Sequence, residues 1–280
     1  SISCFKLENN KSRFLGKILE EDFHLSFPFI FKFNDTFYMC PETREKKDIR
    51  LYKCVDFPLK WVFHKTLIKN IFAVDTLIFN RDNIWWLLTN TDKNNLDASS
   101  ELSIYFSRNG PLTEHWTPHQ NNPIISLTEK ARNAGLVIDN EKIFRISQRA
   151  GFNNYGMEFD INEIQTINEK NYDEKKLDNI KPIFFDDIVG THHLSFNDEY
   201  SVIDIKNLKK ILYDFVKRGY LISSGNDKFI FNRNLDLLVA RIKKRNIVDL
   251  ETGVEFKPRR RELKGVFDNE LVYYLSLIHI

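Results

Sequence analysis

The sequence predicts an all-β fold made of repeated antiparallel sheets, followed by a small α+β segment. Three observations lead to this prediction. Aromatic residues make up 14% of the 280 residues and include 24 Phe, and aromatic side chains pack well on the pleated surface of a sheet. A hairpin pattern with Asn and Asp in its turn recurs four times, and the copies lie about 47 to 58 residues apart. Four-stranded blades of a β-propeller recur at this spacing.

Each copy of the hairpin has a β run, a turn and a second β run. Asn and Asp tolerate the left-handed dihedral angles of tight hairpins, so each copy predicts a turn. The predicted turns are Asn34–Asp35, Asn80–Asn83, Asp139–Asn140 and Asn197–Asp198. The flanking runs are Phe29–Phe33 with Phe37–Met39, Leu77–Phe79 with Ile84–Leu88, Leu136–Ile138 with Ile143–Ile146, and His193–Phe196 with Tyr200–Ile203. Outer strands are predicted at Leu51–Val55 and Glu101–Phe106. Trp85 and Trp86 are both predicted to pack in the core, on opposite sides of their strand.

The pattern changes after Asp204, which predicts a domain boundary near Ile205. Residues 1–205 form the β domain, and residues 206–280 form a separate α+β segment. Apolar residues at helical spacing from Leu208 to Val216 predict a helix, a hairpin follows from Tyr220 to Phe231, and a second helix is predicted from Asn234 through Ile242. From residue 207 onward there are 15 basic and 9 acidic residues, against 26 and 30 before it, so the two parts have different surfaces.

Composition excludes several classes of protein. The net charge of +2 indicates neither a nucleic-acid nor an acidic partner, although basic clusters at 241–245 and 257–261 leave winged-helix binding as an alternative to a solvated basic face. Three Cys show no metal or disulfide spacing, and no apolar run is long enough to span a membrane. We expect a soluble, cytoplasmic protein without metal or cofactor. Because the chain starts at Ser1 and stops inside an apolar stretch, we expect a fragment.

Short strings from Phe23 to Asp204 occur in one order that chance does not readily produce. They include His24–Phe29, Pro41–Thr43, Phe57–Trp61, Ala73–Thr76, Trp85–Leu87, Glu101–Leu102, Gly110–Leu112, Trp116–His119, Asn122–Ile124, Ala131–Gly135, Phe144–Arg145, Gln148, Tyr155–Gly156 and Gly190–His193. In these strings the chain resembles the N-terminal domain of plant glucosamine inositolphosphorylceramide transferase and its bacterial relatives. The resemblance implies a five-bladed β-propeller related to arabinanase- and xylosidase-type glycosidases, joined in the plant protein to a separate transferase domain that residues 206–280 do not resemble.

The resemblance also implies where glycosidase chemistry would lie. Inverting glycosidases use one carboxylic acid to protonate the leaving oxygen and one carboxylate to activate water. Asp75 matches the Asp that tunes the acid in those enzymes. Phe27, before Pro28, stands where the base would be, and Arg132 stands where the acid is expected. The usual acid/base pair is therefore missing.

The predicted site is a polar funnel that binds a sugar, a sugar phosphate or a similar oxygen-rich group. Asp75 and Glu42 are its candidate catalytic carboxylates, and its candidate binding residues are Arg132, Gln148, His192, His193, Glu101 and Tyr155. In one alternative Glu42 and Glu101 replace the missing carboxylates, with His192 or His193 as the base. In another Asp75 only satisfies backbone groups, Arg132 is its structural partner and the His pair serves blade closure.

The favoured function is carbohydrate recognition without glycosidase activity, accessory to a transferase domain on the same chain. Two alternatives stay open. One is an active glycosidase or glycosyl-transferring enzyme with rearranged carboxylates, and the other is a scaffold for protein partners.

Overall fold

A computed structural model describes most of the chain up to residue 207 and, beyond it, five strands without their connections. The described residues are 1–8, 11–92, 98, 100–151, 154–184, 188–196 and 200–207, followed by 219–224, 227–232, 237–243, 246–249 and 255–256. Two compact units are present: residues 1–182 with 190–205, and residues 183–189 with 206–280. The assignment of domains to 1–205 and 206–280 stays a prediction.

The first unit begins with a two-stranded sheet and continues with three four-stranded antiparallel sheets, each in simple sequence order. The opening pair is β1 (Ile2–Glu8) and β2 (Lys11–Leu19). The first large sheet contains β3 (Ser26–Phe33), β4 (Thr36–Glu42), β5 (Asp48–Asp56) and β6 (Lys60–Lys69), with a 3-10 turn at Arg44–Lys46. The second contains β7 (Ala73–Arg81), β8 (Ile84–Thr91), β9 (Leu102–Ser107) and β10 (Thr117–Pro118). The third contains β11 (Asn133–Asp139), β12 (Lys142–Gly151), β13 (Asn154–Ile167) and β14 (Tyr172–Ile180).

Four short strands follow: β15 (Ile188–Gly190), β16 (Leu194–Phe196), β17 (Ser201–Ile203) and β18 (Lys206–Asn207). β16 pairs with β17, Leu194 opposite Ile203, which gives the first unit the start of a further sheet. The first strands of successive sheets lie side by side, since β3 contacts β7, β7 contacts β11 and β11 contacts β16. The described residues are therefore all-β, and the count of five blades stays a prediction.

Local turn chemistry explains the hairpins. Positive φ angles occur in pairs at Asn34 and Asp35, at Asp82 and Asn83, and at Asn140 and Glu141, as two-residue hairpin turns require. The first turn lies where it was predicted, the second lies within the predicted range, and the third is shifted by one residue. The fourth predicted turn, Asn197–Asp198, lies outside the described residues, although its two strands pair as predicted.

The core lies between neighbouring sheets. Trp86 is 1% exposed and belongs to a cluster that includes Leu77, Leu88 and Ile104. Trp85 points the other way, edge-on to the ring of Phe33 at 5.4 Å. Both tryptophans therefore pack on opposite sides of β8, as predicted.

Beyond residue 207 the described residues of the second unit are also strands. β19 (Gly219–Ser224), β20 (Asp227–Asn232), β21 (Leu237–Lys243), β22 (Asn246–Asp249) and β23 (Glu255–Phe256) form one antiparallel sheet. The hairpin predicted between Tyr220 and Phe231 is confirmed. The helix predicted through Ile242 is wrong over β21, because Leu238, Ala240 and Ile242 also alternate at strand period and β20 and β22 supply hydrogen-bonding edges on both sides. The helix predicted from Leu208 to Val216 lies outside the described residues.

The described segments contain no helix that is long and apolar enough to cross a bilayer.

Candidate functional site

A bulge interrupts the first strand of each large sheet. The pairing register shifts between Ser26 and Phe29 in β3 and between Val74 and Leu77 in β7. Within these bulges Phe27 has a φ of 45° and Asp75 a φ of 51°, in the left-handed region that non-glycine residues seldom occupy. Bulges re-aim side chains and are common beside functional sites. Phe27 and Asp75 therefore hold corresponding positions in neighbouring sheets.

Asp75 forms a buried ion pair. It is 4% exposed, and Nε of Arg132, just before β11, donates a hydrogen bond to its Oδ2 at 2.7 Å. Burial raises the pKa of the Asp75 carboxyl, while the charges of Arg132, His193 and His192 act in the opposite direction. The predicted residues Asp75 and Arg132, 57 positions apart, are thus direct partners.

Glu42 ends β4 beside this pair. Its Oε2 accepts a hydrogen bond from Oγ of Ser26 at 3.1 Å. Burial raises the pKa of Glu42, and the negative charge of Asp75 raises it further, against Arg132 and His24. Glu42 also lines a pocket of about 380 Å³ together with His24, Arg44, Glu45 and Phe72. Glu42 is therefore a member of the cluster that faces an open space.

His192 and His193 reach the cluster from the segment between β15 and β16. The Asp204 carboxylate organises them by accepting the backbone N–H groups of His192 at 2.9 Å and His193 at 2.6 Å, and by pairing with Nδ1 of His192. Burial opposes ionisation of Asp204, but these His192 and His193 hydrogen bonds lower its pKa overall. Burial lowers the pKa of His193, whose ring stands edge-on to that of Phe27 at 5.1 Å. The structure therefore gathers Glu42, Asp75, Arg132 and both histidines in one place.

Gln148 supports this cluster from β12. Its backbone N–H donates to the Arg132 carbonyl oxygen at 2.8 Å, and its Nε2 donates to the Asn133 carbonyl oxygen at 3.2 Å. Within the described part of the chain its buried Oε1 has no hydrogen-bond partner. The contacts of Gln148 therefore lie on the backbone that carries Arg132.

Of the remaining predicted residues, Glu101 has no described contact with the cluster. The backbone oxygen of Glu101 accepts bonds from Asn90 Nδ2 and Thr91 N, and its buried Oε2 has no hydrogen-bond partner among the described residues. No described contact links the Glu101 carboxylate to Asp75. The side chain of Tyr155 lies outside the described part of the structure.

A buried polar network that the sequence analysis missed positions Arg132. Asn133 Nδ2 donates to the backbone oxygen of Asp75 at 2.8 Å, and the Asn133 N–H donates to Oδ1 of Asn90 at 2.8 Å. Arg145, 0% exposed, bonds the carbonyl oxygens of Lys130 and Ala131. The sequence did contain a signal that Arg145 faces the interior. Arg145 lies two residues from Ile143 and from Ser147, and every second residue of a strand lies on the same face.

The chemistry available here is hydrogen bonding and charge. Carboxylate, guanidinium and imidazole groups converge, and among the described residues no three His, Cys, Asp or Glu side chains lie together as a metal site requires.

The fold and the site define an all-β domain whose first strands carry a buried cluster of charged and polar side chains. The family described as "Glucosamine inositolphosphorylceramide transferase 1, N-terminal" matches residues 6–183. The chain belongs to this family, so the predicted resemblance is confirmed. Over 165 residues it is 35% identical to the glucosamine inositolphosphorylceramide transferase 1 of Oryza sativa subsp. japonica, covering 58% of this chain and 22% of that protein. The Arabidopsis thaliana protein is also 35% identical over 165 residues, covering 57% and 21%.

The chain spans about a fifth of the length of these curated relatives, 22% and 21%. Solved structures are more distant. An endo-arabinase from Bacteroides thetaiotaomicron aligns with a TM-score of 0.44 at 14% identity, covering 84% of this chain and 74% of that one. A GH43 β-1,3-galactosidase aligns with a TM-score of 0.47 at 11% identity, covering 90% and 69%.

Proposed function

We propose that residues 1–205 form a glycosidase-like domain that recognises a carbohydrate, neutral or phosphorylated, and assists glycosyl transfer to a glycan or glycolipid. The observation that carries the proposal is the convergence of Glu42, the Asp75–Arg132 pair, His192 and His193 beside a pocket. Ligand sites combine a concave space with a few convergent polar groups. Carboxylates accept hydrogen bonds and guanidinium groups donate them, which suits a ligand with many hydroxyl groups.

The proposed domain lacks the usual acid/base pair of a glycosidase. Phe27 occupies the bulge position in β3 that Asp75 occupies in β7, and its side chain has no group that can take a proton from water. Arg132 is held in an ion pair with Asp75 and cannot protonate a leaving oxygen, because a guanidinium keeps its proton in proteins. Recognition therefore has more support here than hydrolysis.

The proposal extends to architecture and context. Three four-stranded sheets with adjoining first strands, and the β16–β17 pair after them, support a propeller, and the proposed count of five blades rests on the family resemblance. The relatives' description as transferases supports a second, transferase domain on the same polypeptide.

Titration calorimetry on the 280-residue protein tests the proposed recognition. The ligands are glucose, galactose, mannose and N-acetylglucosamine, their 1-phosphates, and myo-inositol phosphate. We expect saturable binding to at least one, lost in Arg132→Ala and in Asp75→Asn. Asn tolerates the left-handed backbone at position 75, so this variant keeps the fold.

Arg108→Ala is the matched control, because Arg108 forms an exposed ion pair with Glu169. It should bind like the wild type, and circular dichroism should show the same β spectrum for every variant. Wild-type affinity in folded Arg132→Ala and Asp75→Asn would refute the site.

One observation favours a second candidate, an active glycosidase. Burial raises the pKa of Glu42, which lines the pocket, and a raised pKa favours the protonated form that a general acid requires. In that case p-nitrophenol should be released from aryl glycosides, and Glu42→Gln should stop the release. Absence of turnover across hexosides and pentosides would leave recognition as the function.

A further inference from the structure

The pocket beside Glu42 has the dimensions of a site for one small ligand. Its volume of about 380 Å³ lies near the lower end of the range for ligand pockets, about 300–1,000 Å³. Phe72 contributes an aromatic ring, and its backbone oxygen is fixed by the N–H of Asp92 at 3.2 Å. Aromatic rings pack against the apolar faces of ligands, and the C–H face of a sugar ring is such a surface.

Acidic side chains outnumber basic side chains among the charged residues that line this pocket. Glu42 and Glu45 line it together with one cation, Arg44. Nη2 of Arg44 lies 3.1 Å from Oδ2 of Asp92, so the charge of that guanidinium is offset. Among the described residues Glu45 is exposed and forms no ion pair, so its charge faces the solvent side of the pocket.

Two further basic side chains lie near the pocket, and they do not outweigh its acidic groups. Nζ of Lys47 lies 5.1 Å from the centroid of the Phe72 ring. Arg132 is paired with Asp75. The carboxyl side chains Glu42, Glu45, Asp75 and Asp92 therefore outnumber the basic side chains Arg44, Lys47 and Arg132 by one.

We infer that this pocket binds an uncharged sugar and rejects its phosphorylated form. The carboxylates of Glu42 and Glu45 accept hydrogen bonds from sugar hydroxyl groups, and such bonds to a charged acceptor are stronger than neutral ones. A phosphate would meet like charge without a dedicated guanidinium partner, and repulsive elements of this kind produce specificity. The inference rests on the proposed carbohydrate recognition and decides between its two ligand classes.

The test compares each hexose with its own 1-phosphate. Dissociation constants of glucose, galactose and mannose, and of their 1-phosphates, are measured by calorimetry on the 280-residue protein at low salt. The free hexose that binds should bind at least about fivefold more tightly than its phosphate, as expected for one uncompensated charge at close range in a partly solvated site. Glu45→Lys should reverse the preference, because it changes the local charge by two units at an exposed position.

Glu114→Lys is the matched control, since Glu114 is exposed and does not line the pocket; it should leave the ratio unchanged. Phe72→Ala should weaken both ligands equally, because it removes packing without altering charge. A phosphate that binds as tightly as its hexose, or a ratio that Glu45→Lys does not move, would overturn the inference while leaving carbohydrate recognition intact. If no hexose or hexose phosphate binds, carbohydrate recognition by this site fails, and the inference fails with it.

Discussion

Replacing Arg145 by Met should remove about 3–5 kcal/mol of the free energy of unfolding, the cost of breaking a buried ion pair by deleting one partner. Arg145 is 0% exposed. Its Nε and Nη2 donate to the two oxygens of Glu174 at 2.8 and 2.6 Å, and its guanidinium also bonds the carbonyl oxygens of Lys130 and Ala131 and Oδ1 of Asn133. Met fills similar volume but leaves Glu174 buried without its cation. Because domains are stable by only about 5–15 kcal/mol, the loss is a large part of the total.

Urea unfolding followed by tryptophan fluorescence measures this loss. Arg108→Met is the control, because the Arg108–Glu169 pair is 65% and 42% exposed and such surface pairs contribute about 0–1 kcal/mol. The double variant Arg145→Met with Glu174→Gln should lose less free energy of unfolding than the sum of the two single variants. Gln at position 174 would leave no unpaired charge in the interior, and its side-chain oxygen can still accept the hydrogen bond from the Tyr172 hydroxyl.

Equal losses in Arg145→Met and Arg108→Met would refute this account of the network. So would a double variant whose loss equals the sum of the two single losses, because the Arg145–Glu174 pair would then have no coupling energy.

Two further predictions concern Gly135 in β11 and Glu42 in β4. Gly135→Ala should lower the melting temperature much more than Gly16→Ala: both residues have φ above 130°, but a Cβ at Gly135 would overlap the Leu194 carbonyl oxygen, whereas nothing lies within 4 Å at Gly16. Similar losses would show that β11 and β16 do not lie this close. Glu42→Gln should stabilise the protein at neutral pH, because the raised pKa of Glu42 means that folding favours its protonated form and stability falls as pH rises through that pKa. Melting curves should converge below pH about 4, near the unfolded-state pKa of Glu; a constant difference across pH would contradict this.

Local chemistry determined the features that the sequence predicted well. The Asn34–Asp35 turn follows from residues that accept left-handed dihedral angles, so no distant part of the chain is needed to recognise it. The opposite packing of Trp85 and Trp86 follows from the two-residue period of a strand. Family membership also lies in the sequence itself, because it rests on ordered strings of residues.

Tertiary structure decided the features that depend on partners far away in the chain. The sequence indicated Asp75, Arg132 and the His pair as candidates, but only the packing of β7 against β11 made Asp75 and Arg132 direct partners. Asp204 accepts both histidine N–H groups because the pairing of β16 with β17 places it beside them. Glu101 was as good a candidate from the sequence as these residues, yet no described contact joins its carboxylate to the cluster. Between Leu237 and Lys243 the alternation of apolar residues suited helix and strand alike, and hydrogen-bonding edges on both sides selected the strand. A buried charge is stabilised by whichever group faces it, and which group that is depends on how the sheets pack.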